Sequence, residues 1–411
     1  MQLRRCGVCR GLALLACATG SLGFLANCQG ASAGAVTWDM PATRREALLR
    51  ELTTNNGLHQ RAIQELQPGI NQDPRVLKTM LQSFLSEGCL PTAETWALVA
   101  LGSANGEGAK VIVRAYREGD AKTRRRLRAV LGRMGAEARE AVPDLREEIQ
   151  EAQATQADRI EILIVLAAIG DASASELGEI AQGIAAHDER CVTAAGVMSV
   201  LGRNEWATET IRSALIRVVS EDSSPGGWDV AWALGTLGKH TDAAVRSALE
   251  HRFATDLKKA RSRDYVFSGL ALALASPERM QEVLGAVLRR QVAEYGVDVE
   301  HAVALAWPFT GDVRLVDAVA SFLSHSDSRV SKEAANILGV MGLAARSAKP
   351  VLIWQVELGK DQGARQAAAR ALGRVAIVGD LPELRRLRTL CNDNTELHKW
   401  IDVSIAEVEA R

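Results

Sequence analysis

Two stretches decide the fold: Leu127-Arg-Ala-Val-Leu-Gly-Arg-Met-Gly-Ala-Glu-Ala-Arg-Glu-Ala-Val-Pro143 and Ala334-Ala-Asn-Ile-Leu-Gly-Val-Met-Gly342. In each, small and apolar residues recur at helical spacing and end in Leu-Gly, and a short turn follows. Working outward, the same pattern returns along the chain. Its marker leucines are Leu101, Leu131, Leu166, Leu201, Leu234, Leu274, Leu305, Leu338 and Leu372. They stand 30 to 40 residues apart and average about 34. A drifting period of that size is the mark of stacked helical pairs, in which each unit buries its apolar face only against its neighbours.

The physics within a unit is legible from Asp361 to Gly373. Asp361 reads as an N-cap, because its side chain can accept from the free N–H groups of the first turn. Ala367, Ala368, Ala371 and Leu372 then repeat on one face. Gly373 is expected to end the helix or to ease close packing there. The unit from Ser326 to Met341 reads the same way. Second helices are expected to open at Pro143, Pro350 and Pro382, since the missing N–H of proline costs nothing in a first turn.

These motifs resemble the HEAT-repeat family, in particular the short bacterial units found in phycobilisome lyases. The resemblance covers residues 90–400 and implies an all-α superhelix, a HEAT-like solenoid of about nine repeats over 91–400. It implies little about activity, because one fold hosts many functions. Residues 36–90 are expected to form N-terminal capping helices and 401–411 a C-terminal cap. Leu274-Ala-Ser-Pro277 and Leu305-Ala-Trp-Pro308 depart from the Leu-Gly pattern, and the interval from Leu234 to Leu274 is the longest.

Composition agrees with this architecture. Aromatic residues make up only 4% of the 411, with 3 Tyr and 6 Phe, and sheets favour aromatic and β-branched residues. A net charge of −1 argues against a bulk nucleic-acid binder, which needs a large basic surface. Residues 1–35 read as an export leader. Arg4, Arg5 and Arg10 precede an apolar run from Gly11 to Leu25, which is too short to span a bilayer, and small residues follow. Leu25-Ala-Asn-Cys28 resembles a lipoprotein processing site, with Cys28 as the acyl acceptor and Asn27 as the departure from that pattern. Four of the seven cysteines lie in the leader, so the remaining Cys89, Cys191 and Cys391 make no disulfide framework.

No histidine pair stands at metal-ligand spacing and no His-Glu dipeptide exists, so neither a metal nor another cofactor is expected. His187-Asp-Glu-Arg-Cys191 reads as a polar turn with Asp188 as an N-cap rather than a Cys/His site. Two groups are left as candidate partner-binding residues. Trp96, Trp228, Trp232 and Trp307 would form an aromatic patch on the inner helices, the alternative being that they fill gaps between Ala-rich helices. Arg124, Arg125 and Arg128 belong to the densest basic run, which also reads as a solvated face. The resulting expectation is an exported, periplasmic or envelope-associated scaffold, not an enzyme. It would bind a protein or peptide along its concave face and touch a membrane only through its N-terminus. The alternative, implied by the resemblance, is a chromophore-attachment factor or another HEAT-repeat enzyme.

Overall fold

The computed structural model describes residues 38, 40–54, 60–86, 91–150, 155–186, 194–198, 201, 206–221, 227–236, 242–258, 264–294, 312–391 and 395–409. In chain order the helices are α1 (Ala42–Thr54), α2 (Gln60–Leu66), α3 (Pro74–Leu85), α4 (Pro91–Leu101), α5 (Gly106–Glu118), α6 (Ala121–Met134) and α7 (Val142–Gln150). Then come α8 (Gln156–Ile169), α9 (Ala174–Ala185), α10 (Glu209–Ser220), α11 (Gly227–Gly235), α12 (Ala243–Asp256), α13 (Asp264–Ala275) and α14 (Met280–Glu294). The last are α15 (Val313–Ser321), α16 (Ser328–Met341), α17 (Lys349–Leu358), α18 (Gln362–Val375), α19 (Leu381–Leu390) and α20 (Thr395–Glu409). No strand occurs among the described residues.

The helices start where the sequence places acceptors. Asp73, Asp120, Asp242, Asp312, Asp327 and Asp361 each accept from backbone N–H groups of the turn they open. Thr155 and Ser173 form capping boxes with Asp158 and Glu176. Caps of this kind contribute about 1 kcal/mol each. Pro143, Pro350 and Pro382 all sit in first turns, as expected. Asp188 lies outside the described residues.

Alternate helices form two layers. In one, α4 packs on α2 and α6, α6 on α8, α11 on α13, α16 on α18, and α18 on α20. In the other, α9 packs on α10, α10 on α12 and α17 on α19. The Leu-Gly glycines explain how tight the first layer is. A methyl group built on Gly235 would stand 2.7 Å from the Cα of Ala271, and one on Gly339 3.3 Å from the Cα of Ala371. Backbones therefore meet there with almost nothing between them. The partners of the Leu-Gly helices are termed the outer layer, and the Leu-Gly helices themselves, whose backbones approach most closely at these glycines, the inner layer. Its interior is dry: in α8, Ile160, Ile162, Leu163, Ile164, Val165, Leu166 and Ala167 are all buried, which surrounds the helix.

Charged residues of the outer layer tie each unit to the next. Arg117 pairs with Asp144 at 3.0 Å, Arg146 with Asp171 at 2.9 Å, and Lys349 with Asp380 at 2.8 Å. Arg212 pairs likewise with Asp242, the N-cap of α12. Partners stand about one repeat apart, so the sequence period sets the charge register as well as the core.

One alternative is decided and one boundary differs from expectation. Of the two roles expected of Gly373, ending the helix or easing close packing, the second holds, because α18 continues to Val375. Its role is close approach: an added methyl would meet the Oγ of Ser404 at 2.8 Å and the Cα of Ser404 at 2.9 Å. The C-terminal helix starts at Thr395 rather than Ile401, and takes in Trp400. It packs on α18 as a further inner-layer helix, with Arg370 over the Trp400 ring at 4.9 Å from its centroid.

Candidate functional site

The densest polar cluster of the described residues lies between the layers, where α5, α6, α7 and α8 meet. Arg128 donates from Nη2 to Glu148 at 2.8 Å, and from Nη1 to Asp158 at 2.9 Å and Glu161 at 2.8 Å. The Tyr116 hydroxyl donates to the other Glu148 oxygen. Arg128, Glu148 and Tyr116 are buried and Asp158 and Glu161 half-buried, so three carboxylates converge on one guanidinium that is largely shielded from water.

The charges respond to their positions. Burial pushes the Glu161 carboxyl above the usual carboxylate range, against the pull of Arg128. Burial works in the same direction on Asp158, but the Thr155 hydroxyl and Arg128 outweigh it and hold that carboxyl low. Burial, then the bond to Glu148, pushes the Tyr116 phenol up. Arg128 stays firmly protonated, because its carboxylates outweigh the burial that opposes its charge. Each carboxylate of the cluster is paired within the chain, while the Arg128 Nε is buried without a hydrogen-bond partner among the described residues, so what the cluster does is join three units. No group of three or more His, Cys, Asp or Glu among the described residues could hold a metal ion.

The expected partner-binding residues scatter. Trp96 is 2% exposed and Trp232 4%, which corrects the expectation of an inner aromatic patch. Their rings fill space between alanine-rich helices, the bland alternative that the sequence had left open. Trp228 lies in α11 with its side chain outside the described residues, as are Trp307, Cys28 and His187–Cys191 entirely. Arg128 is a correction of the same kind, since it is 5% exposed and committed to the ion cluster. Arg124 is half-buried and Arg125 exposed on the same helix. Their neighbour Arg126 is tied to Glu94 at 2.7 Å and lies over the Phe84 ring.

A surface that the sequence reading missed lies on α17. Val351 is 37% exposed, Trp354 43% and Leu358 64%, at i, i+3 and i+7, so they form one apolar stripe facing water. Leu390, at the same register on α19, is 61% exposed and extends the stripe to the next unit. The signal was available in the repeat register. With Pro143, Pro350 and Pro382 aligned, Val351 and Trp354 correspond to Asp144 and Glu147 in one sister unit and to Glu383 and Arg386 in the other. Charged positions became apolar in α17 alone of these three helices. The stripe is flanked by Glu357 paired with Arg386 and by Lys349 held between Asp380 and Glu383. An exposed tryptophan therefore stands on α17 within a polar rim.

The frame is that of an all-α helical-repeat solenoid. No family model and no curated protein matches the chain. Among solved structures it is similar to an engineered protein, at 15% identity and a TM-score of 0.26, over 89% of this chain and 99% of that one. It is also similar to the karyopherin Kap121p bound to the SUMO protease Ulp1p, at 13% identity and a TM-score of 0.34. Kap121p bound to Pho4p gives 13% and 0.32. The chain spans about half the length of Kap121p, 46% and 48% in these two structures.

Proposed function

We propose that this chain is an exported, non-enzymatic scaffold that binds a protein or peptide through the apolar stripe Val351–Trp354–Leu358 and its continuation at Leu390. The observation that carries the reading is the exposure of Val351 and Trp354 at positions that are charged in both sister units, continued by the exposed Leu358. Exposing such a stripe is unfavourable in water, by about 25 cal/mol per Å² of apolar area, unless a partner covers it. The outer layer also suits the task better than the inner one, whose α8 has no free apolar face. Export is read from Arg4, Arg5, Arg10 and the apolar run that follows them.

The test is capture from envelope fractions with the wild-type chain and with the double variant Trp354→Ala, Leu358→Ser. Both side chains are substantially exposed, so the variant should keep its helical circular dichroism and lose a partner that the wild type retains. Equal capture by both would overturn the stripe as the binding surface. Mass spectrometry of the mature N-terminus tests export: acylated Cys28 or a terminus near Val36 supports it, and an intact Met1 opposes it.

A further inference from the structure

A solenoid whose units touch only their neighbours has no contacts between residues hundreds of positions apart. This one has such a contact. The carboxamide of Gln64, on inner helix α2, lies against Gly342, which ends inner helix α16. A methyl group built on Gly342 would stand 2.9 Å from the Gln64 Oε1 and 3.6 Å from its Nε2. Gln64 is 7% exposed although it is polar and belongs to the first described units. We propose that the inner layer closes on itself, with the N-terminal unit around α2 docked on the unit formed by α16 and α17, and that this contact is a releasable latch. The proposal goes beyond the function argued above and does not depend on the α17 stripe.

Three further observations support closure. Gly135 occupies the position equivalent to Gly342, with φ of 60° against 61°. A methyl on Gly135 would meet only the Ala168 carbonyl of the next unit, at 3.5 Å, so the Gln64 contact is not a feature of the repeat. Second, the winding is tight enough to skip a unit. Arg133 donates to the Leu201 carbonyl at 2.8 Å, and Leu201 packs on the bare face of Gly132. Third, every residue but one is buried in Ile160–Ala167 of α8 and in Tyr265–Ala273 of α13, as suits helices inside a closed curve.

The latch is built to open. The Gln64 Nε2 is buried with no hydrogen-bond partner among the described residues, and separating the two units returns it to water. Closure of this kind would hide the inner face until a partner or a change of conditions parts the ends.

The test uses the chain as purified, in dilute solution. A photoreactive benzoylphenylalanine is placed at Leu343 or at Ala344, irradiated, and the attached peptides mapped by mass spectrometry. Closure predicts attachment within one molecule to the peptide containing Gln64. Attachment only to neighbouring units, or only between molecules, would overturn it. Small-angle scattering of the unmodified chain gives a second reading that needs no variant. A closed, compact chain of this length has a radius of gyration of about 22 Å. A value larger by half would mean that the ends are apart.

Discussion

At the scale of single residues, Arg128 shows how a surface reading of a basic run goes wrong. Sequence places it among Arg124, Arg125 and Arg126, yet helical geometry turns its side chain between the layers to meet Glu148, Asp158 and Glu161. Arg128→Ala should cost about 3–5 kcal/mol in urea unfolding, because it strands buried carboxylates without a counter-charge. A loss below 1 kcal/mol would mean that the cluster is hydrated. Glu161 has the opposite sign. Its carboxyl is raised in the fold, so its ionisation opposes folding once the pH exceeds its ordinary range. Glu161→Gln should therefore gain stability relative to wild type as pH rises from 4 to 7. Glu176 is depressed to about 2 from 4.5: burial opposes this, but Arg146 and the Ser173 N–H overcome it. Its contribution is present above pH 4.5 and is lost as pH falls towards 2. The stability gap between wild type and Glu176→Gln should accordingly shrink between pH 6 and pH 3. The Ser173–Glu176 capping box is a local pattern, but the ion pairs could not be assigned from sequence, because Asp158, Glu161 and Glu176 stand about one repeat away from their arginines and several registers were open.

Among elements, the inner helices are set apart by what they lack. Gly235→Ala would drive a methyl into the Ala271 backbone, and overpacking of this kind costs about 1–3 kcal/mol. Gly178, within α9, has nothing within 4 Å of the position of an added methyl. Gly178→Ala should thus stabilise by up to about 1 kcal/mol through helix propensity. Thermal melts of the two variants should move in opposite directions, and a common direction would contradict the close-approach role of the Leu-Gly glycines. Much of this layer was legible beforehand. Asp361 as a cap, the Ala367–Leu372 face and the proline openings follow from local rules that tertiary packing did not override. The α17 stripe is not marked by the Leu-Gly pattern, because Trp354 stands on an outer helix, where only the register against Pro143 and Pro382 reveals it.

For the whole molecule, stability should be distributed as it is in stacked arrays, with each unit sustained by the next. Deleting residues 395–411 removes α20 and bares the small-residue face of α18. It also leaves the Ala369 carbonyl without the Ser404 hydroxyl that donates to it at 2.7 Å. The truncated chain should melt lower and show fastest hydrogen exchange in α18, while α5 to α8 keep their protection. Loss of protection throughout would mean that the array unfolds as a single block. The inner-layer glycines have a further consequence for how such a molecule changes over generations. Alanine and glycine codons differ by one base, and each missing methyl sets the spacing of two adjacent inner helices. The bend of the array is therefore adjustable one mutation at a time, unit by unit, without touching the outer surface that a partner would meet.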